Sequence, residues 1–217
     1  MTISEIKKTK NISRYHLYVD DKFFGIFLDE ILARYGLKTG QDIDESELKE
    51  IKKENDEKLA FDMALSYLEK YNVSSKGLKD YLKKKGMDKD AILHACEKLQ
   101  EYGYINDENF AKAYFESLCS TKGKRAIANK LKEKGISQEI IDNLLSNVDD
   151  ESEEERAYQS GVKFAKNREN NLKNKQKCLA HLIYKGYDYS VAQKVVNKIF
   201  TKENDDDWAW FGAYWKN

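Results

Sequence analysis

The side chains best suited to chemistry are few and far apart. His16, His94 and His181 fall in three separate stretches. No HExxH pair is present to hold a hydrolytic zinc, no GxSxG elbow to raise a serine nucleophile, and no Walker loop to cradle phosphates. Cys96, Cys119 and Cys178 are odd in number and widely spaced, without CxxC or a Cys/His cluster, so they read as reduced thiols in a cytoplasmic chain. Aspartate and glutamate total 38, and so many carboxylates on charged stretches are mostly solvated helix faces. These residues predict no enzyme, no metal and no cofactor.

The basic residues are better organised. Between Ala111 and Gly135 stand seven (Lys112, Lys122, Lys124, Arg125, Lys130, Lys132 and Lys134) against two acids, Glu116 and Glu133. Between Lys163 and Lys185 stand seven more (Lys163, Lys166, Arg168, Lys173, Lys175, Lys177 and Lys185) against Glu169 alone. The whole chain balances 38 basic against 38 acidic residues, so only these local fields can attract phosphates or an acidic protein groove. The same pattern is also compatible with solvated lysine-rich faces. The candidate contacts are Lys122, Lys124, Arg125 and Lys130, with Lys173, Lys175 and Lys177.

The elements that carry them are helical. The 217 residues include no proline, which helices can do without and turn-rich β folds rarely do. No apolar run is long enough to span a membrane, and Met1-Thr2-Ile3-Ser4-Glu5 does not open a signal peptide. The exception to helix lies at the start. Tyr15–Val19 and Phe23–Leu28, rich in aromatic and β-branched residues, flank Asp20-Asp21-Lys22 and predict a β-hairpin. Asp29 then caps a short helix ended by Gly36, and Asp44 with Glu47 offers a capping box for a charged helix from about Glu45.

Beyond that the chain repeats. Leu82-Lys-Lys-Lys85-Gly86, Leu131-Lys-Glu-Lys134-Gly135 and Leu182-Ile-Tyr-Lys185-Gly186 share Leu-x-x-Lys-Gly, with glycines 49 and 51 residues apart (135 − 86, 186 − 135). Eight residues before them stand Leu78, Ile127 and Cys178; six after, Ile92, Ile141 and Ala192; two after, the N-cap residues Asp88, Ser137 and Asp188. Each unit reads as three helices: about 59–71, 107–119 and 154–167; then 75–85, 124–134 and 174–185; then about twelve residues from each cap. The expectation is a mainly α protein of three tandem three-helix repeats in an elongated array, after a small α/β hairpin-containing N-terminal domain. Its divisions are 1–56, 57–106, 107–150, 151–200 and a tail, 201–217. An acidic run, Asp149–Glu155, separates the last two repeats. A second run, Glu203–Asp207, precedes Trp208–Trp215, which holds all three tryptophans and is expected to dock on the third repeat.

Helix–turn–helix geometry around the three glycines suggests a DNA reader. The third helices nevertheless begin with acids such as Asp90 and Glu139, where base readout wants Arg or Asn. Sequence-specific readout is therefore disfavoured.

Gly103-Tyr-Ile-Asn-Asp107-Glu-Asn-Phe110-Ala111 resembles the Gly-Tyr-(Ile/Leu)-(Asp/Asn)-Asp-x-x-Phe-Ala segment of the RecX regulatory proteins. The order around it is similar too: Ala64–Leu68, then Ser75, Leu78, Leu82 and Gly86, then Lys122-Gly123 before Ile127, Leu131 and Gly135. The hairpin with Tyr35–Gln41 resembles the extension on RecX proteins of low-GC Gram-positive bacteria, and the likeness runs over about residues 3–200. Two departures stand out. Tyr71-Asn-Val-Ser-Ser75 lacks the family's arginines, and Lys122-Gly-Lys-Arg125 lacks the proline of Lys-Gly-Pro-Arg.

The resemblance implies a non-enzymatic, cytoplasmic modulator of RecA in homologous recombination, DNA repair and the SOS response. It implies binding to RecA and along the RecA–single-stranded DNA filament, with inhibition of ATP hydrolysis, strand exchange and coprotease activity. A monomer without membrane contact is expected. Two alternatives stay open: a direct, non-sequence-specific DNA binder, and a helical adaptor for another complex.

Overall fold

The computed structural model describes residues 1–10 and 13–201. Expectations that fall on the tail, including its docking on the third repeat, lie outside the described residues. Two compact units divide the chain, Met1–Asp107 and Glu108 onward.

The first unit begins with an antiparallel sheet of β1 (Ile3–Lys8), β2 (Arg14–Val19) and β3 (Lys22–Leu28), in that order. The expected hairpin forms with Val19 paired to Lys22. Asp20 and Asp21, at φ 47 and 63, both take the left-handed conformation that a two-residue I′ turn needs. Strand β1 was not expected. Its Ile-Ser-Glu-Ile-Lys-Lys buries only Ile3 fully, which suits an edge strand charged at its far end. Ile3, Leu17 and Phe27 form the covered face, against Ile31 and Leu32 of α1 (Asp29–Arg34) and Leu48 and Ile51 of α2 (Glu45–Leu68). Asp29 is the first residue of α1 rather than its cap, and its carboxylate accepts Glu30 N–H at 2.9 Å. Asp44 does cap α2, accepting Ser46 N–H at 2.8 Å.

Helix α2 is one 24-residue rod where two helices were expected, and it runs through the 56/57 division. Its first half lies on the sheet, while its second half supplies Ala60 and Ala64 to the next core. The interruption in apolar spacing has a cause. At the crossing point the helix buries Asn55, whose side chain accepts Leu28 N–H (2.9 Å) and donates to the Ile26 carbonyl (2.8 Å). The polar residue caps a strand end that an apolar one would leave unpaired. Helices α3 (Ser75–Lys84) and α4 (Lys89–Glu101) complete the first repeat around Leu78, Leu82, Ile92 and Leu99.

The second unit holds α5 (Asp107–Leu118, whose first residue closes the first unit), α6 (Lys124–Glu133) and α7 (Gln138–Ser146). It continues with α8 (Asp150–Ala165), α9 (Leu172–Lys185) and α10 (Tyr189–Thr201). Its two cores gather on Phe110, Ile127, Leu131 and Ile141, and on Ala157, Cys178, Leu182 and Val195. Gly86, Gly135 and Gly186 turn the chain at φ 81, 82 and 91, and Asp88 and Ser137 cap the following helices as their position predicts. The acidic run at 149–155 is no spacer. Asp149 caps α8, and Asp150, Glu151 and Glu153 fill its first turn, where the helix dipole favours negative charge.

Candidate partner-binding surface

The first basic group sits where α6 begins. Gly123 precedes it without a side-chain cap, so the first amides of the helix need other acceptors. They find them in the third repeat. Gly123 N–H donates to the Lys185 carbonyl at 3.0 Å, and Arg125 N–H to the Gly186 carbonyl at 3.1 Å. Lys124 N–H donates to the Glu153 carboxylate at 2.9 Å. Contact is backbone to backbone: a Cβ on Gly186 would stand 2.3 Å from the Ala126 Cβ, and one on Gly123 2.4 Å from the Gly186 carbonyl.

Lys124 belongs to this junction. Its ammonium donates to the Val148 carbonyl at 2.9 Å and to Asp150 at 2.6 Å, with Glu153 3.5 Å away. Its side chain is only 14% exposed. Desolvation works to lower its pKa, but Asp150 and Glu153 outweigh it and hold the group above the ordinary lysine value. In return, the hydrogen bond and charge of Lys124 hold the Asp150 carboxyl below the usual carboxylate range. Glu153 is 2% exposed and lies against the α6 N-terminus, where dipole and amides receive it. The first unit contains a related arrangement, with the Asp107 carboxylate accepting Ser75 N–H at 2.8 Å at the start of α3.

The neighbours of Lys124 face outward. Arg125 is largely exposed, 3.7 Å from Asp188. The Lys122 ammonium lies 5.9 Å from the ring centre of Tyr184, within cation–π range. Lys130 is half-buried further along α6. Lys173, Lys175 and Lys177 occupy the first turns of α9, with Lys173 and Lys177 exposed. The α6 N-terminus abuts the opposite end of that helix, at Lys185 and Gly186. A 14-residue helix is roughly 20 Å long, so the seven candidates form two patches at the two ends of α9.

Sequence reasoning missed Glu153, Asp150 and Gly186 as parts of this surface, since their roles depend on residues tens of positions away. It also missed a stack beside α9. The Arg168 guanidinium covers Phe164 at 4.2 Å, and the ring of His181 lies against Phe164 at 4.4 Å. Burial, then Lys185 and Arg168, lowers the pKa of His181. The i, i+4 spacing of Phe164 and Arg168 was the available signal.

Among the described residues no cluster could hold a metal ion, and no helix is long and apolar enough to cross a membrane. Fold and surface define a protein of three-helix repeats that presents paired basic patches. Residues 106–145 match the family model described as RecX, second three-helix domain, and residues 151–196 the one described as RecX, third three-helix domain. The regulatory protein RecX of Clostridium perfringens (strain 13 / Type A) is 33% identical over 211 residues, covering 94% of this chain and 97% of that protein. The regulatory protein RecX of Listeria monocytogenes serotype 4a (strain HCC23) is 35% identical over 198 residues, 89% of this chain and 74% of the relative. A crystal structure titled regulatory protein RecX aligns at a TM-score of 0.66 with 25% identity, over 93% of this chain and 99% of the other. RecX from Lactobacillus salivarius shares the fold at a TM-score of 0.63 and 24% identity, over 68% of this chain and 98% of the other. The chain belongs to the RecX family of regulatory proteins.

Proposed function

We propose that this protein regulates RecA by binding RecA and RecA–single-stranded DNA filaments, and that it inhibits recombinase, ATPase and coprotease activity without catalysing a reaction of its own. It acts as a cytoplasmic monomer in the control of DNA repair. The observation that carries this reading is membership of a family of regulatory proteins across nearly the whole chain, rather than across one module. The contact surface is the pair of basic patches: Lys122, Arg125 and Lys130 at one end of α9, and Lys173, Lys175 and Lys177 at the other. Lys124 serves the same surface by fixing the junction that presents Lys122 and Arg125. Local positive fields on a neutral chain suit a mixed protein and nucleic-acid target.

The test is RecA's DNA-dependent ATP hydrolysis, titrated with this protein after filaments have formed, beside a bare single-stranded DNA binding control at the same salt. Loss of hydrolysis at concentrations that leave bare DNA unbound is expected. Loss only where bare DNA is saturated, with a salt slope of about −0.7 per phosphate contact, would show a competitor for DNA instead. No loss would remove RecA as the target.

A further inference from the structure

Helix α9 has an outer face with a particular chemistry. The helix contains Lys173, Lys175, Lys177 and Lys185 and not one acidic residue. Its open side carries two different halves. Lys173 and Lys177 are exposed near the start, beside Leu172 at 72% exposure. Towards the end stand exposed Ala180, Ile183 at 40% and Tyr184 at 82%. Leu172 and Ile183 are eleven residues apart, three turns of helix, so they lie on one stripe. A basic-then-apolar stripe of this kind fits an occupant that is acidic and then apolar.

The sequence contains such a segment, and the fold delivers it to the right end. Helix α10 runs back beside α9, and the Asn170 side-chain amide donates to the Phe200 carbonyl at 2.7 Å. The chain therefore leaves α10 next to the first turn of α9. The residues that follow in sequence are Glu203, Asp205, Asp206 and Asp207, then Trp208, Trp210, Phe211, Tyr214 and Trp215. Acids come first and aromatics second, the same order in which lysines and apolar residues follow one another along α9. The reach is ample: thirteen residues, 203 to 215, can span up to about 45 Å, against roughly 20 Å for the helix. Attachment to the same chain also gives the segment a high effective concentration at this face.

We propose that the outer face of α9 is the docking site for residues 203–215 of the same chain, with the acids against Lys173 and Lys177 and the aromatic side chains over Ala180, Ile183 and Tyr184. The inference stands apart from the RecA reading, since it concerns what covers α9 before any partner arrives.

All three tryptophans of the protein belong to this segment, so tryptophan fluorescence reports on it alone. The experiment compares acrylamide quenching in the full chain, in a peptide of residues 202–217, and in two full-length double variants, Lys173→Glu/Lys177→Glu and Ile183→Asp/Tyr184→Asp. Severalfold protection in the full chain is expected, falling to the peptide value in each variant while far-UV circular dichroism is unchanged. Equal quenching in chain and peptide overturns the proposal. Protection that survives both variants overturns it too, because the segment then sits elsewhere. Protection that depends on protein concentration would mean a second copy is the occupant. If a variant fails to fold, zero-length carbodiimide crosslinking of the unaltered chain decides: links from Lys173 or Lys177 to Glu203–Asp207 within one chain support docking, and their absence refutes it.

Discussion

Gly186→Ala should damage the second unit far more than its backbone angle alone explains. Gly86 and Gly186 occupy equivalent turns at φ 81 and 91, and an alanine at either must adopt a left-handed conformation. That strain costs roughly 1–2 kcal/mol. At Gly86 nothing lies within 4 Å of an added Cβ, so strain is the whole effect. At Gly186 the same methyl would overlap the Ala126 Cβ at 2.3 Å and the Ala126 nitrogen at 2.5 Å. Backbone cannot rotate aside as a side chain can, so α6 and α9 must separate. Overpacking of this kind adds about 1–3 kcal/mol, for a total of roughly 2–5 kcal/mol out of the 5–15 typical of a domain. Urea unfolding of Gly86→Ala and Gly186→Ala gives the two energies. Amide exchange locates the damage, because Gly123 and Arg125 N–H lose their acceptors at Lys185 and Gly186 only if the junction opens. Equal destabilisation by the two substitutions, with those amides still protected, would refute the argument.

Two further outcomes are expected. The folded-state pKa of Asp150 is depressed, so its stabilising contribution is present above the ordinary carboxylate value and disappears as pH falls through the lower folded one. Lys124 is raised, so its share is present below the ordinary lysine value and disappears as pH climbs through the higher folded one. The stability gap between the natural chain and Lys124→Met, read by urea unfolding, should therefore be flat near neutrality and shrink below about pH 4; a gap unchanged in acid would contradict the pairing. Burial pushes the Cys178 thiol up to about 11, and Cys96 is raised by burial as well. A disulfide reagent at neutral pH should therefore modify half-buried Cys119 first and reach the other two only on unfolding, which mass spectrometry of timed samples will check.

The repeat was legible because it rests on local rules. A left-handed glycine, a capping residue two positions on and apolar residues at fixed offsets are each readable within a dozen residues, and Gly86, Asp88, Leu78 and Ile92 all took the places assigned to them. The misses share a different cause. Asn55 breaks the apolar pattern of α2 because it serves a strand end that lies 27 residues earlier in sequence. Lys124 looked like a surface cation because its acidic partners, 26 and 29 residues away, belong to a run that reads as a charged spacer. Charge type is visible in a sequence; which charges neutralise each other is settled by packing. The seven basic candidates were thus found as a class, while the junction that separates Lys124 from its neighbours was not.

Helix α2 also sets how the first unit responds to force. One unbroken rod is bolted into two cores, through Leu48 and Ile51 on the sheet side and Ala60 and Ala64 on the repeat side. Each residue of an α-helix turns it by about 100°. Inserting a single residue between Glu57 and Lys58 would swing the sheet about a third of a revolution around the axis of the repeat, with no loop to absorb the error. Evolution can lengthen or reshape the turns of such a molecule freely, but the phase of this one shaft is fixed.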